Sequence, residues 1–540
     1  MSDRDLRVAY FCMEYGLHDD LKLYAGGLGI LAGDYLKGAH DTGRPIIGIG
    51  IKWKQGYTDQ YVNDDGRPYD SYTTRTYDLV DTGVTVTVTI RERPVLVKVW
   101  RTEAYGNSTL YLLDTDVDGN ADADRWICGQ LYGWFAEERL AQEIVLGIGG
   151  VRALRALGVD VDVYHFNEGH AVLAALELIA ERRAAGASFD EARRTTRDEV
   201  VFTTHTPVIQ GNESHDLDTM EYVGAFHGLS RDQMIGIGGD PFNMTVAALR
   251  LARKSNAVAQ LHAETANQMW GHVEGRSQIV GITNCIHRPT WVDDRIVDAW
   301  RNERPLRPVH DEIKAELLAF VETRAGVTLR QDRLLIGFSR RAAPYKRSDL
   351  IFSDLERIEP YLRDGRIQIV FSGKAHPLDD TGKDIVANLV TMMRNYPAGV
   401  VFLENYGMEI GRMLTRGSDV WLNNPRRPQE ASGTSGMKAA MNGVLNCSIL
   451  DGWWPEACEH GVNGWQIGDG FESDDVAELD AHDRDALYRV LLDEVLPTYE
   501  NDSERWESMM RSSIESTWES FAVERMLDDY ERMLYRTDPA

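Results

Sequence analysis

The sequence predicts an α/β protein built as two large lobes, each around a parallel sheet covered by helices. Three observations carry this. Apolar strand-like runs alternate with amphipathic helical runs for most of the chain, the pattern of sheets buried on both faces. At 540 residues the chain exceeds what one hydrophobic core ordinarily holds. The second half repeats the strand–helix order of the first without repeating its sequence. No Ser/Gly linker parts the halves near "ITNCIHRPTWVDD", residues 282–294, so they are expected to pack tightly around a cleft.

The elements follow in order. "LRVAYFCME" is a first strand, and "YAGGLGILAGDYLKGAHDTG" a glycine loop entering a helix that stops at glycine. "PIIGIGIKW" is a second buried strand. "TVTVTIRERPVLVKVWRTEA" and "STLYLLDTD" alternate with period two and predict an antiparallel excursion. A long helix is expected over 132–156 and a helical stretch over 170–197, between the strands "VDVYHFNEGH" and "DEVVFTTHTP". In the second half "RLLIGFSRR", "RIQIVFSGK", "GVVFLENY" and "DVWLNN" are strands. Each of the first three leads into a helix, and the fourth into the glycine stretch "EASGTSGMKAAMNG", residues 430–443. "VLNCSILDGWW" and "NGWQIG" follow, and 473–540 reads as almost wholly helical around Pro497.

Composition narrows the function. A formal net charge of −27 opposes general nucleic-acid binding. It is neutral toward a sugar polymer and makes any local cluster of cations informative. Five scattered cysteines show no CxxC or Cys/His spacing, so neither a disulfide framework nor a metal site is indicated. No apolar run reaches the length of a membrane span. The start, "MSDRDLRVAYFCMEYG", lacks a basic-then-apolar leader pattern. A cytoplasmic protein is expected.

Polar residues collect at strand ends, where ligands bind in parallel α/β sheets. Gly26, Gly27 and Gly29 precede a helix, a layout that serves an anion-binding turn or a plain tight turn. "GFSRRAAPYKR" sets Arg340, Arg341, Lys346 and Arg347 after one strand, pointing to an anionic ligand. In the 430–443 stretch, Gly433 and Gly436 allow close backbone approach. Thr434 and Ser435 add hydroxyls, and Lys438 follows one helical turn later. A structural glycine turn and a lysine-linked aldehyde cofactor both suit that spacing. His170 and His205 follow strands and suit either structure or chemistry. Asn256, Asn284 and Glu430 are hydrogen-bonding groups suited to sugar hydroxyls. No Ser-His-Asp signature, HExxH or phosphate-loop lysine pattern is present.

Taken together, "YAGGLGILAGDYLKGAHDTGRPIIGIGIKWKQGYTDQ", "FTTHTP", "RKSNAVAQLHAE", "ITNCIHRPTW", "FSRRAAPYKR", "VFSGKAHP", "VFLENY" and "EASGTSGMKAAMNG" resemble, in order, segments of the α-glucan (glycogen/maltodextrin) phosphorylases. The likeness spans roughly residues 7–470, and "DVWLNNPRRPQEASGTSGMK" with "LDGWW" resembles the shorter bacterial branch. It implies two Rossmann-like lobes of the GT-B glycosyltransferase type with the active site in the interdomain cleft. The expected division is 1–290, 291–510, and a 511–540 helix returning to the first lobe. It implies reversible phosphorolysis of α-1,4-glucans, as glycogen or maltooligosaccharide, with inorganic phosphate to α-glucose 1-phosphate, configuration being retained. The implied cofactor is pyridoxal 5'-phosphate, carried by Lys438 as a Schiff base. Thr434, Ser435 and Arg340 would hold its phosphate, and Arg341 and Lys346 the substrate phosphate. Gly26 and Gly27 form the glycine loop, with Gly27 donating its N–H. His205, Asn256, Glu430, Ser432 and Gly433 would line the sugar, and Lys438, Arg341, Lys346 and His205 form the catalytic set. No metal is implied, and a homo-oligomer is compatible. The sequence departs from the larger enzymes at Ile30, in "TSGMK", and in "VIQGNESHDLD" after "THTP". The competing expectation is a retaining glycosyltransferase that uses a nucleotide sugar on the same fold.

Overall fold

In the computed structural model, residues 6–537 are described, and their strands follow the predicted alternation. The chain runs β1 (Val8–Phe11), β2 (Ile46–Ile51), a hairpin of β3 (Asp59–Val62) and β4 (Pro68–Ser71), then β5 (Val80–Ile90), β6 (Arg93–Thr102) and β7 (Leu110–Asp114). Next come β8 (Val163–Asn167), β9 (Val200–Thr203), the short pair β10 (Ser214–His215) and β11 (Phe242–Asn243), β12 (Lys254–Ala257) and β13 (Ile279–Gly281). The second half supplies β14 (Leu334–Ser339), β15 (Ile367–Ser372), β16 (Val400–Leu403), β17 (Val420–Asn423), β18 (Leu445–Ile449) and β19 (Gly464–Ile467).

The chain forms two compact units. The first holds residues up to Tyr57, Tyr72–Thr283 and the C-terminal segment from Met526. Its sheet has the order β13-β12-β9-β8-β1-β2-β7-β6-β5. Strands β13 through β7 pair in parallel, while β5–β6 and β6–β7 are antiparallel, as the period-two runs predicted. The strand order reverses beside β1, whose neighbours are β2 and β8. Such a switch point opens a crevice beyond the carboxyl ends of the strands. The C-terminal segment is tied in by Tyr535, whose hydroxyl meets His165 Nδ1 at 2.8 Å, and by Arg44 to Glu531 at 2.8 Å.

The second unit holds Thr58–Ser71 and Asn284–Arg525. Its sheet, β16-β15-β14-β17-β18-β19, is parallel throughout. Every residue of β14 and β15 is buried, because helices cover both faces. Leu335, Val370, Val401, Leu414 and Trp421 form one core cluster with Leu317 and Val321 from the helix Leu306–Ala325. This sheet reverses between β14 and β17. The β3–β4 hairpin belongs here although it lies early in the chain. The Gln60 side chain exchanges two hydrogen bonds with the Ala375 backbone, at 2.8 and 3.1 Å, and Lys383 pairs with Asp70 at 2.8 Å.

Several expectations change in detail. The helix expected from 132 begins at Ala136 and contains a π-helical stretch, Val145–Gly149. The 170–197 stretch is two helices, Leu173–Ala184 and Phe189–Arg197, parted by Gly186 at φ +100°. The expected divisions at 290/291 and 510/511 compare with unit changes at 283/284 and 525/526. Among the described residues no helix is long and apolar enough to cross a membrane.

Candidate active site

In the second unit, the switch point gathers charge. Strand β14 ends at Ser339, and Arg340 follows directly. Gly373 permits this approach, since a Cβ there would lie 2.0 Å from the Arg340 carbonyl oxygen. Arg340 Nη2 donates to Glu430 Oε2 at 2.5 Å, and Lys346 Nζ donates to the same oxygen at 2.8 Å. Arg340 also bonds Asn423, the last residue of β17. All three charged side chains are buried. Burial alone would push Glu430's carboxyl up, but Arg340 and Lys346 outweigh it and hold it at about 2. Two cations against one carboxylate leave one net positive charge, a ready anion site.

The other two cations of "SRRAAPYKR" go elsewhere. Arg341 is exposed and lies near His376, whose pKa is lowered by burial and then by that guanidinium. Arg347 sits at φ +50° and donates to the carbonyls of Asn424 and Pro425. It also pairs with Asp480 at 2.9 Å and Asp483 at 2.7 Å. Arg347 is therefore structural, a correction to reading four cations as one anion cluster. Its partners lie more than 75 residues away in sequence, so no local pattern disclosed them.

The 430–443 stretch combines turn and site. Gly433 adopts φ +89°, a conformation that favours glycine, and the helix Thr434–Met441 starts directly after it. Its first turn carries no acidic residue, so the helix N-terminus keeps its attraction for anions. Ser435 Oγ accepts from Trp421 Nε1 at 3.2 Å, leaving its own hydrogen for another acceptor. Gly436 is a packing glycine: a Cβ would lie 2.7 Å from Asn446 Oδ1. Lys438 is only 5% exposed, and its Nζ lies 3.4 Å from the ring centroid of Trp291, a cation–π contact. Ser432 Oγ and Asn284 Oδ1 are buried without a hydrogen-bond partner.

In the first unit, carboxylates and neutral groups stand beyond β1 and β8. The Glu14 carboxylate follows β1 and accepts the N–H groups of Ala25 at 2.7 Å and Gly26 at 3.1 Å. It also accepts from Tyr132 Oη. The Gly26 amide is thus engaged within the protein. A Cβ added at Gly26 or Gly27 would meet no neighbour within 4 Å, and neither residue has positive φ. Packing does not require glycine there, which leaves access to the backbone as the reason. Gly29 and Gly33 are required by packing, with Cβ clashes at 2.5 Å to Tyr24 and 2.1 Å to the Gly16 carbonyl.

Beyond β8, Asn167 Oδ1 meets His205 Nε2 at 2.5 Å. Glu168, at φ +72°, accepts from the backbone of His205, the Thr206 hydroxyl and the Gly169 N–H. Burial pushes both His170 and His205 down to about 3, so both rings are neutral at pH 7. His170 sits edge-on to Tyr132 with ring centroids 5.7 Å apart, and its Nδ1 is buried without a partner.

Asn256 departs from the expectation. It is fully buried; Oδ1 accepts from Thr203 Oγ1 at 2.6 Å, and Nδ2 donates to the Ala257 carbonyl. Thr203 in turn meets His165 Nε2 at 2.7 Å, and His165 Nδ1 meets Tyr535. The register pairs Asn256 with Thr203 and draws the amide into this interior chain, away from a sugar-lining position. Of the two asparagines weighed, Asn284 is the one with an unpaired acceptor. Glu14, Asn167, Glu168, Trp291 and Asp451 were not singled out from the sequence. The signal for the first three was a polar residue at or within three residues of the end of a buried strand.

Comparisons with known proteins identify the family. A family model described as carbohydrate phosphorylase matches residues 293–534. A maltodextrin phosphorylase of Thermococcus litoralis is 38% identical, covering 98% of this chain and 70% of its own length. A glycogen phosphorylase of Aquifex aeolicus is 36% identical, over 98% and 86%. A glycogen phosphorylase of Mycobacterium tuberculosis is 35% identical, over 98% and 70%. With likeness of that extent, the chain belongs to the carbohydrate phosphorylase family.

Proposed function

We propose that the protein catalyses reversible phosphorolysis of α-1,4-glucans, glycogen or maltodextrin, releasing α-glucose 1-phosphate with retained configuration. The observation that carries this is the buried Arg340–Lys346–Glu430 group just ahead of the acid-free helix start that bears Lys438. The GT-B type of fold belongs to the same reading, supported by two largely parallel sheets and by family membership. A reducing, cytoplasmic setting suits the five free cysteines, four of them buried.

The residues present fit pyridoxal phosphate. Lys438 is buried on an aromatic face, one turn beyond the helix start. In this reading it holds the cofactor, while Thr434, Ser435 and Arg340 hold its phosphate. When bound, the cofactor supplies through its phosphate an electrostatic and proton-sharing partner for the substrate phosphate. Lys346 and Arg341 bind and orient inorganic phosphate, and the Gly27 N–H adds a donor. Their charge stabilises the transition state at a fixed position, a leading catalytic term. The glycosidic C1–O bond breaks as substrate phosphate gives its proton to the leaving oxygen, and a C1–O–P bond forms on the same face. His205, neutral, and Ser432, Gly433 and Asn284 offer hydrogen bonds to the sugar. The test is product analysis by proton NMR with maltodextrin and phosphate. The α anomer of glucose 1-phosphate is expected; the β anomer or free glucose would refute the reading.

A further inference from the structure

The "LDGWW" segment has no part in the reaction as read so far, yet it touches the glycine stretch at several points. Asp451 stands just past β18 and is fully buried. Its Oδ2 accepts the Glu430 N–H at 2.9 Å, and its Oδ1 accepts the Gly452 N–H at 2.8 Å. Two residues on, the Trp453 N–H donates to the Ser432 carbonyl at 3.0 Å. Gly452, at φ +59°, makes the approach possible: a Cβ there would lie 2.2 Å from the Ser432 carbonyl oxygen and 3.2 Å from Glu430 Cγ. The Trp453 ring reaches the next turn, with Nε1 2.9 Å from the Cβ position of Gly436. Arg427 bonds the Leu450 carbonyl on the other side.

From these contacts we propose that Asp451 is a positioning residue: with Gly452 and Trp453 it clamps Glu430–Gly433, and so sets where Glu430 meets Arg340 and Lys346. The ties hold both ends of the loop, one at an N–H and one at a carbonyl, so neither rotation nor sliding of the loop is free. A purely structural explanation fits poorly. Burial and the neighbouring Glu430 carboxylate push Asp451's carboxyl up to about 7. A second buried acid beside Glu430 costs stability that a neutral residue would not, and what it returns is the geometry of the loop.

This inference rests on the phosphorolysis reading for its kinetic part, but the clamp itself is tested without activity. The experiment compares wild-type holoenzyme with Asp451→Asn, Gly452→Ala and Tyr499→Phe. An asparagine keeps one acceptor, and its NH2 faces one of the two N–H donors, so one tie is lost. Hydrogen exchange of the 430–433 segment should quicken by roughly tenfold or more in both clamp variants. Their kcat should fall between about tenfold and 10²-fold, the scale of a misplaced group near the chemistry, with pyridoxal phosphate content per chain unchanged. Tyr499 accepts from Lys314 Nζ at 3.0 Å in the same unit, remote from the loop contacts. Its variant loses a buried hydrogen bond and should lose thermal stability, while kcat stays within about twofold because no contact to the loop changes. Unchanged exchange at 430–433, or a kcat loss in Tyr499→Phe equal to that of Asp451→Asn, would overturn the clamp. If wild type forms no glucose 1-phosphate, the phosphorolysis reading fails, and the exchange data alone decide the clamp.

Discussion

Two buried polar groups, one in each unit, are built by opposite means. The first, the histidines of the first unit, is neutral: burial holds His165, His170 and His205 down to about 3 and His262 to about 4, although the same unit also buries charge in Arg139 with Glu143 and Glu213. The second unit buries charge in compensated sets, Arg340 and Lys346 on Glu430, and Lys314 with His310 on Asp419. Neutral donors and acceptors suit sugar hydroxyls, and a compensated cluster with a positive surplus suits phosphate. The contrast teaches that groups suited to hydroxyls and groups suited to an anion are buried by different dielectric strategies.

The largest expected effect breaks the charged side. Lys346→Ala should lower kcat/KM for phosphate by about 10²-fold or more, as for loss of one electrostatic stabiliser; initial rates at varied phosphate measure it. Arg347→Met tests whether all cations of that loop act alike. It breaks buried pairs with Asp480 and Asp483 and should cost about 3–5 kcal/mol of stability, read by denaturant unfolding, while phosphate KM changes by less than about threefold.

Acid separates the units next. Each of these four histidines has a folded pKa below its unfolded value of about 6.5. The stability of the neutral form is therefore present above that pH and lost as pH falls toward 3–4. At pH 5 this loss amounts to roughly 2 kcal/mol per histidine. In the second unit Glu430 and Asp419 are depressed, so their contribution persists at pH 5 and fades only as pH drops below about 4. Hydrogen exchange at pH 7 and pH 5 should show protection falling in the first unit before the second. The smallest effect is in the glycine loop. Gly27→Ala keeps the N–H, but its methyl fills the open space over the backbone and crowds an approaching phosphate, so it should cost roughly tenfold in kcat/KM, as for a weakened bond to a charged group. Gly26→Ala, whose amide already serves Glu14, should stay within about twofold in the same assay.

Much of this was legible in the sequence because buried parallel strands read as short apolar runs. "PIIGIGIKW" and "RLLIGFSRR" are β2 and β14, and polar residues just past such runs fall at the switch points. Arg340 and Lys346 were singled out that way, whereas Lys438 was singled out from the glycine and hydroxyl stretch entering a helix. What was hidden depends on partners distant in the chain. Arg347 looked like its neighbours until Asp480 and Asp483 met it. Asn256 and Asn284 were alike by residue type and only Asn256 was placed at the sugar, but strand register engages the Asn256 amide in the interior, and Asn284 is the one with an open acceptor. The β3–β4 hairpin gives no local sign that its partners are Ala375 and Lys383.

The central claim, that phosphate is held by the second unit's charge and the glucan is not, is tested most directly by calorimetric titration of the holoenzyme. Inorganic phosphate and maltodextrin are titrated separately into wild type and Lys346→Ala. The account predicts that phosphate binding weakens by about tenfold or more, the scale of a lost charge-assisted hydrogen bond, while maltodextrin affinity stays within about twofold. Equal weakening of both ligands, or undiminished phosphate binding, would contradict it.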